Sequence, residues 1–347
     1  MRKLVVIVLI AFTGLSFYPG EGGSDGLRQA ADESGTDFGF AVHNSFFNME
    51  DDDPYLRILK KNANTLVAEN AMKPYRMQPE KGNFFFEETD RLVEFATEND
   101  IKVRGHCLVW HKQIPDWMND TTYTREEMLE ILENHITTIV SRYKGQVDEW
   151  DVVNEAIDTD EENNYRRTVW YRTIGPEFID SAFVYAHRAD PSAVLYYNDF
   201  SAEEMNEKSD AIYKMVKRLV QNDVPIHAVG LQSHFWLNEF NVSEIENNMD
   251  RIGALGLQAN ITELDISIPM NEISQETLQQ QADDYADIME MCLDNDHCNS
   301  LLIWGVPDSH SWIPNHTDGE RGSALIFDDE MNPKPAFHAL KEVLDNK

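Results

Sequence analysis

Apolar positions in this chain come in short, nearly unbroken runs at residues 38–42, 65–68, 102–108, 149–153, 194–197, 228–231, 259–262 and 301–304. Runs of this length without polar alternation predict strands covered on both faces, as in a parallel sheet sheathed by helices. Between them the apolar positions take up helical spacing. The clearest case is 124–143, where Met128, Ile131, Leu132, Ile136, Ile139 and Val140 follow a Thr124/Glu127 capping box. Segments 92–96, 169–189, 211–220, 245–255, 278–293 and 335–344 behave in the same way. Eight strands each followed by a helix is the count of a (β/α)8 barrel of the α/β class. A doubly wound open sheet shares the alternation but places a glycine-rich phosphate turn after its first strand. Here the first run leads instead into Val42-His43-Asn44-Ser45-Phe46. No linker or low-complexity stretch interrupts the alternation, so a single barrel domain is predicted over 27–347.

The N-terminus breaks the pattern. Arg2 and Lys3 precede an apolar run over 4–17, which has the length of a signal-peptide core and falls short of the roughly 20 residues that span a bilayer. Residues 1–20 are therefore expected to be a signal peptide, and the glycine-rich 21–26 a flexible boundary before the domain. Secretion follows from that reading. The overall composition, 42% hydrophobic and 10% aromatic, excludes disorder as the main state. With 62 acidic against 29 basic residues and a net charge of −33, the surface repels phosphate backbones and anionic headgroups. Neither nucleic acid nor a membrane surface is expected as a partner.

Three cysteines, Cys107, Cys292 and Cys298, form no metal-binding spacing. Cys292 and Cys298 are close enough in sequence for a local disulfide if the protein is exported. Cys107, inside an apolar run, reads as a buried free thiol.

In a barrel of this kind the working residues sit at the C-terminal ends of the strands, and here those ends are unusually polar. The second run ends in Glu69-Asn70 with Lys73 following, and the third carries His106 and leads to Trp110, His111 and Gln113. The fourth ends in Asn154-Glu155, the fifth in Tyr197-Asn198-Asp199, the sixth in Gln232-Ser233-His234, the seventh in Glu263 with Asp265, and the eighth in Trp304. Glu155 and Glu263 each directly follow an apolar strand, and strands four and seven lie across a barrel mouth from each other. Two facing carboxylates among tryptophans and amides suit glycoside hydrolysis. A metal cluster of His106, His111 and His234 with Glu69 and Glu263 is the rival reading; the surrounding Trp, Gln and Asn suit a hydroxyl-rich ligand better than a cation.

The motifs Ala68-Glu69-Asn70-Ala71-Met72-Lys73-Pro74, Gly105-His106-Cys107-Leu108-Val109-Trp110-His111, Asp151-Val152-Val153-Asn154-Glu155-Ala156 and Ile261-Thr262-Glu263-Leu264-Asp265 together resemble the signatures of glycoside hydrolase family 10, the endo-β-1,4-xylanases. The similarity runs from about residue 27 to the C-terminus. It implies a retaining mechanism without a required cofactor or metal, acting on xylan and xylo-oligosaccharides, in a protein expected to be monomeric. Glu155 would be the acid/base and Glu263 the nucleophile, with Asn154, His234 and Asp265 in support. Glu69, Asn70, Lys73, His106, Gln113 and Gln232 would bind xylose hydroxyls on the glycone side, between walls of Trp110, Trp304 and Trp312. Tyr197 would contact substrate near the scissile bond, and Cys292 and Cys298 match a disulfide found in some members. Cys107, Pro307 and Phe200 stand where Thr, Thr and Tyr are common in the family. A cellulase or mannanase barrel, or a silent carbohydrate-binding barrel, are the alternatives; the Lys73, Gln113 and Trp304/Trp312 set argues against the first, and retention of both carboxylates against the second.

Overall fold

The structure, a computed structural model, describes residues 26–347. The expected signal peptide at 1–20, and most of the expected flexible segment, lie outside the described residues. Gly26 does not fit that segment: it is buried and precedes a helix, Leu27–Ser34. A Cβ there would meet the Lys61 carbonyl oxygen at 2.1 Å, so the domain begins with a packed residue.

Eight parallel strands form a closed barrel: Asp37–Val42, Thr65–Ala68, Lys102–Val109, Glu149–Asn154, Val194–Asp199, Ala228–Leu231, Gln258–Pro269 and Ser300–Ile303. Each pairs with its neighbour in sequence, and the eighth closes the ring by pairing with both the seventh and the first. Nearly every strand residue is buried, because the inward side chains fill the barrel and the outward ones meet helices. All eight apolar runs are strands, as their pattern predicts.

The helix at Arg125–Arg142 begins with the expected capping box: the Glu127 N–H donates to Thr124 Oγ1 at 3.2 Å, and the Thr124 N–H donates to Glu127 Oε2 at 2.8 Å. The single helix expected over 169–189 is two, Val169–Ile174 and Glu177–Ala189. Gly175 takes φ +96° and Pro176 follows it, and proline disfavours helical geometry in the residue before it. Leu27–Ser34 and Pro54–Asn62 are helices that the spacing alone did not indicate. Leu27–Ser34 packs on the final helix, Pro335–Asp345. Cys292 and Cys298 are disulfide-bonded, tying the helix Gln275–Asp294 to the turn before the eighth barrel strand, and Cys107 is a buried free thiol. Among the described residues, no helix is long and apolar enough to cross a membrane.

The seventh barrel strand extends well past the expected 259–262. Beyond the barrel it alternates, with Glu263, Asp265 and Ser267 on one face and Leu264, Ile266 and Ile268 on the other. Two short strands pair with this extension, His234–Trp236 in parallel and Arg321–Gly322 in antiparallel. They raise a wall on one side of the barrel mouth.

Candidate active site

The base of the site is a buried ion cluster within the barrel. Arg104, 0% exposed, donates from Nη1 to Glu149 Oε2 at 2.9 Å and from Nη2 to Asp151 Oδ1 at 2.5 Å, and lies over the Tyr196 ring. At Asp151 burial opposes ionisation, but Arg104 and His106 outweigh it and hold the carboxyl below its usual range. Asp151 is therefore an acceptor, so His106 Nδ1, 2.9 Å from Asp151 Oδ2, carries the proton between them. This fixes the ring that faces the cleft.

Above this cluster, a cleft of about 1280 Å³ opens at the C-terminal ends of the strands. Asn154, Glu155, His234 and Glu263 line it, together with Glu69, Asn70, Lys73, His106, Trp110, Gln113, Gln232, Trp304 and Trp312. On one side, Asn70 donates to Glu69 Oε1 at 3.0 Å and accepts from Lys73 Nζ at 3.1 Å, while Lys73 Nζ lies 4.8 Å from the Trp110 ring centroid. Burial raises the Glu69 pKa despite Lys73, and lowers that of Lys73. The trio is a preformed, desolvated set of donors and acceptors for hydroxyl groups. Trp304 packs edge-on against His106, and Trp312 edge-on against His234.

The two central carboxylates have unequal surroundings. Glu263 Oε1 accepts from Asn198 Nδ2 at 2.7 Å, and Oε2 lies 3.2 Å from His234 Nε2. Burial works against its charge, but His106 and His234 outweigh burial and hold its pKa below the usual carboxylate value. Glu155 has no such cation. Its Oε1 lies 3.3 Å from the Gln232 and Asn154 amides, and its Oε2 makes no hydrogen bond among the described residues. The nearest ring, His111, has Nδ1 3.6 Å from Glu155 Oε2, and burial, with Arg166 and Lys112 adding to it, lowers its pKa to about 4. His111 is thus neutral at neutral pH.

His234 is the opposite case. Burial again disfavours the charged ring, but Asp265, whose Oδ2 is 3.0 Å from Nδ1, and Glu263 push the pKa from 6.5 up to about 10. The imidazolium bridges the two acids, and Trp312 Nε1 donates to Asp265 Oδ2 at 2.8 Å. Asp265 itself is fully buried behind the cleft wall, so it acts through His234. A pKa raised in the folded state contributes stability that is complete below the unfolded value of 6.5 and is lost as the pH rises through about 10. His234→Gln is accordingly expected to lose most stability below pH 6.5, and progressively less toward pH 10, relative to wild type. Melting curves across that range check this, and a gap that widens with rising pH would contradict the assignment.

Tyr197 is not where the resemblance puts it. It is 0% exposed and does not line the cleft. Its hydroxyl accepts from the N–H groups of Ala156 and Ile157 at 3.0 and 3.1 Å and donates to Asp199 Oδ2 at 2.5 Å, and Asp199 is paired with Lys208. A side chain satisfied on both sides by protein has no bond left for a sugar. Glu155 has φ +55°, an uncommon conformation for a residue with a Cβ. Tyr197 clamps the two peptides after it, and Arg166 Nε donates to the Glu155 carbonyl at 2.9 Å. Tyr197 thus holds the turn that aims Glu155.

Sequence reasoning assigned no role to Asn198, Arg104 or Asp151, which do not line the cleft but orient residues that do. It also missed Trp236 and Arg321 on the cleft wall. The one available signal for the first three was their place in apolar strands, where an unpaired polar group is costly.

Residues 26–343 match the family model Glycosyl hydrolase family 10. This chain belongs to that family. Endo-1,4-beta-xylanase B of Thermotoga neapolitana is 41% identical over 321 residues, 92% of each chain. Among solved structures, native xylanase 10B of Thermotoga maritima superposes with a TM-score of 0.89 at 43% identity, covering 92% of this chain and 98% of that one. Xylanase 10B of Thermotoga petrophila, in complex with xylobiose, gives 0.90 at 42% identity over 94% and 99%. The closed parallel barrel is therefore the family's fold, and the chain is a glycoside hydrolase.

Proposed function

We propose that this chain is a secreted endo-1,4-β-xylanase that cleaves internal bonds of xylan with net retention of configuration. The carrying observation is the unequal setting of two buried carboxylates in one cleft. Glu263, facing the His234 imidazolium and held by Asn198, is kept ionised and oriented for attack on the anomeric carbon. Glu155, with one oxygen unpartnered, is placed to give a proton to the leaving oxygen and later to take one from water. Amides and indoles around the pair match a neutral, hydroxyl-rich chain. The similarity to Thermotoga proteins that are xylanases, one of them in complex with xylobiose, supports xylan as the substrate.

Secretion is supported by Arg2 and Lys3 before the apolar run at 4–17 and by a disulfide, which persists mainly in oxidising compartments. The test is to incubate the protein with xylan, carboxymethyl-cellulose and mannan and follow the anomeric signals of early products by NMR. Xylan fragments with β-anomeric reducing ends are expected first. Cellulose cleavage without xylan cleavage would overturn the substrate, and initial α products would overturn retention.

A further inference from the structure

Between the sixth barrel strand, Ala228–Leu231, and the wall strand His234–Trp236 the chain turns sharply. Ser233 takes φ +63°, a left-handed conformation uncommon for a residue with a Cβ, and it is fully buried. Both catalytic carboxylates are touched from this turn. Gln232, before it, brings Nε2 to 3.3 Å from Glu155 Oε1, and His234, after it, has Nε2 3.2 Å from Glu263 Oε2. The backbone is tied in as well: the Glu263 N–H donates to the Gln232 carbonyl at 3.0 Å and the Asp265 N–H to the Ser233 carbonyl at 3.3 Å.

A side chain from elsewhere takes up the Ser233 N–H. Glu203 Oε1 accepts from it at 2.8 Å. Glu203 comes from the loop between the fifth barrel strand and the helix Glu207–Gln221; it is 5% exposed and does not line the cleft. Its own loop is anchored, because buried Asn248 donates from Nδ2 to the Ala202 and Glu203 carbonyls at 2.8 and 2.9 Å. Burial raises the Glu203 pKa against the Ser233 N–H, its own N–H and the charges of His234 and Lys208. Burying a carboxyl is costly unless its bonds are needed. We propose that Glu203 is a positioning residue for the hydrolysis, clamping the left-handed turn at Ser233 so that Gln232 and His234 stay aligned on Glu155 and Glu263 together. Without the clamp a buried N–H is left unpaired, and the strained turn relaxes and draws His234 off Glu263. Among the titratable groups around Glu263, namely His106, His234, Asp151, Lys73 and, across the cleft, Glu155, only His234 is held by this turn. This inference rests on the reading of Glu263 as nucleophile and Glu155 as acid/base.

The test measures kcat, KM and the pH profile of Glu203 variants on an aryl β-xylobioside, per folded molecule. Glu203→Ala is expected to lower kcat by on the order of 10–100-fold, with KM within about twofold. The acid limb of its kcat/KM profile should also move to higher pH, since Glu263 loses the aligned imidazolium that keeps it ionised. Glu203→Gln, which keeps an acceptor oxygen in place, is expected to recover kcat to within about threefold of wild type. Glu203→Asp keeps the charge but draws the acceptor back by one methylene; it should behave like Glu203→Ala and guards against an alanine variant that does not fold. A lowered melting temperature with kcat and the acid limb unchanged in both Glu203→Ala and Glu203→Asp would overturn the positioning role while leaving the xylanase reading intact. Losses in Glu203→Gln as large as in Glu203→Ala would overturn it too, because the acceptor would then not be what acts. Wild-type protein inert on the aryl xylobioside would overturn both readings.

Discussion

Glu263→Ala is expected to abolish turnover and to form no covalent intermediate, whereas Glu155→Ala forms one and stalls. Each change should lower kcat on xylan by on the order of 10⁴-fold, so rate alone does not separate the roles; the intermediate does. With an aryl β-xylobioside whose leaving group needs no proton, Glu155→Ala keeps its nucleophile. Glu263 is still aligned by Asn198 and His234, and the glycosyl-enzyme accumulates for lack of a general base. Mass spectrometry should show the adduct on Glu263. Added azide, an anion that requires no deprotonation, should release the β-glycosyl azide after two inversions. In Glu263→Ala, azide entering the vacated space gives at most the α product by one inversion. Recovering the α-azide from Glu155→Ala and the β-azide from Glu263→Ala would show the roles reversed.

Arg104→Met should be the most destabilising change beneath the site, by about 3–5 kcal/mol at neutral pH, because it leaves buried charges without their partner. Glu149 and Asp151 both bond to Arg104, and all three are buried. The pH dependence has a definite sign. Burial opposes the Asp151 charge, yet Arg104 first, and His106 with it, depresses the pKa below 3.8, so this stability is present above the unfolded value and is lost as the pH falls through the folded one. The variant's deficit in denaturant melts should therefore shrink on acidification, as the orphaned acids become neutral. Activity should fall as well, since His106 loses the ionised acceptor that fixes its Nδ1–H. Equal stability of variant and wild type at neutral pH would show that the ion cluster is dispensable.

Much of the architecture was legible in the linear pattern. Eight unalternating apolar runs can be buried on both faces only in a sheathed parallel sheet, and the polar residues terminating them are the only ones such strands can present at a barrel mouth. Glu155 and Glu263 stood out for that reason, and the cleft brings them together with eleven more of the anticipated residues lining it. The break at Gly175-Pro176 was written in the sequence as well, but helical spacing on both sides of it hid the turn.

Other features had no sequence signal of their own. Tyr197 and Asn198 are consecutive at one strand end, yet the pleat sends Asn198 to Glu263 and Tyr197 behind the Glu155 turn. Trp236 and Arg321 are far apart in sequence and meet because both strands dock on the extension of the seventh. Sequence by itself determined which residues end strands, because burial of a strand is a local demand on consecutive side chains. The tertiary structure decided which of those ends carry charge and which hold them in place. Burial, Coulomb interaction and hydrogen bonding depend on distances between residues from different strands, so His234 is pushed up to about 10 and His111 down to about 4 although both are histidines at strand ends.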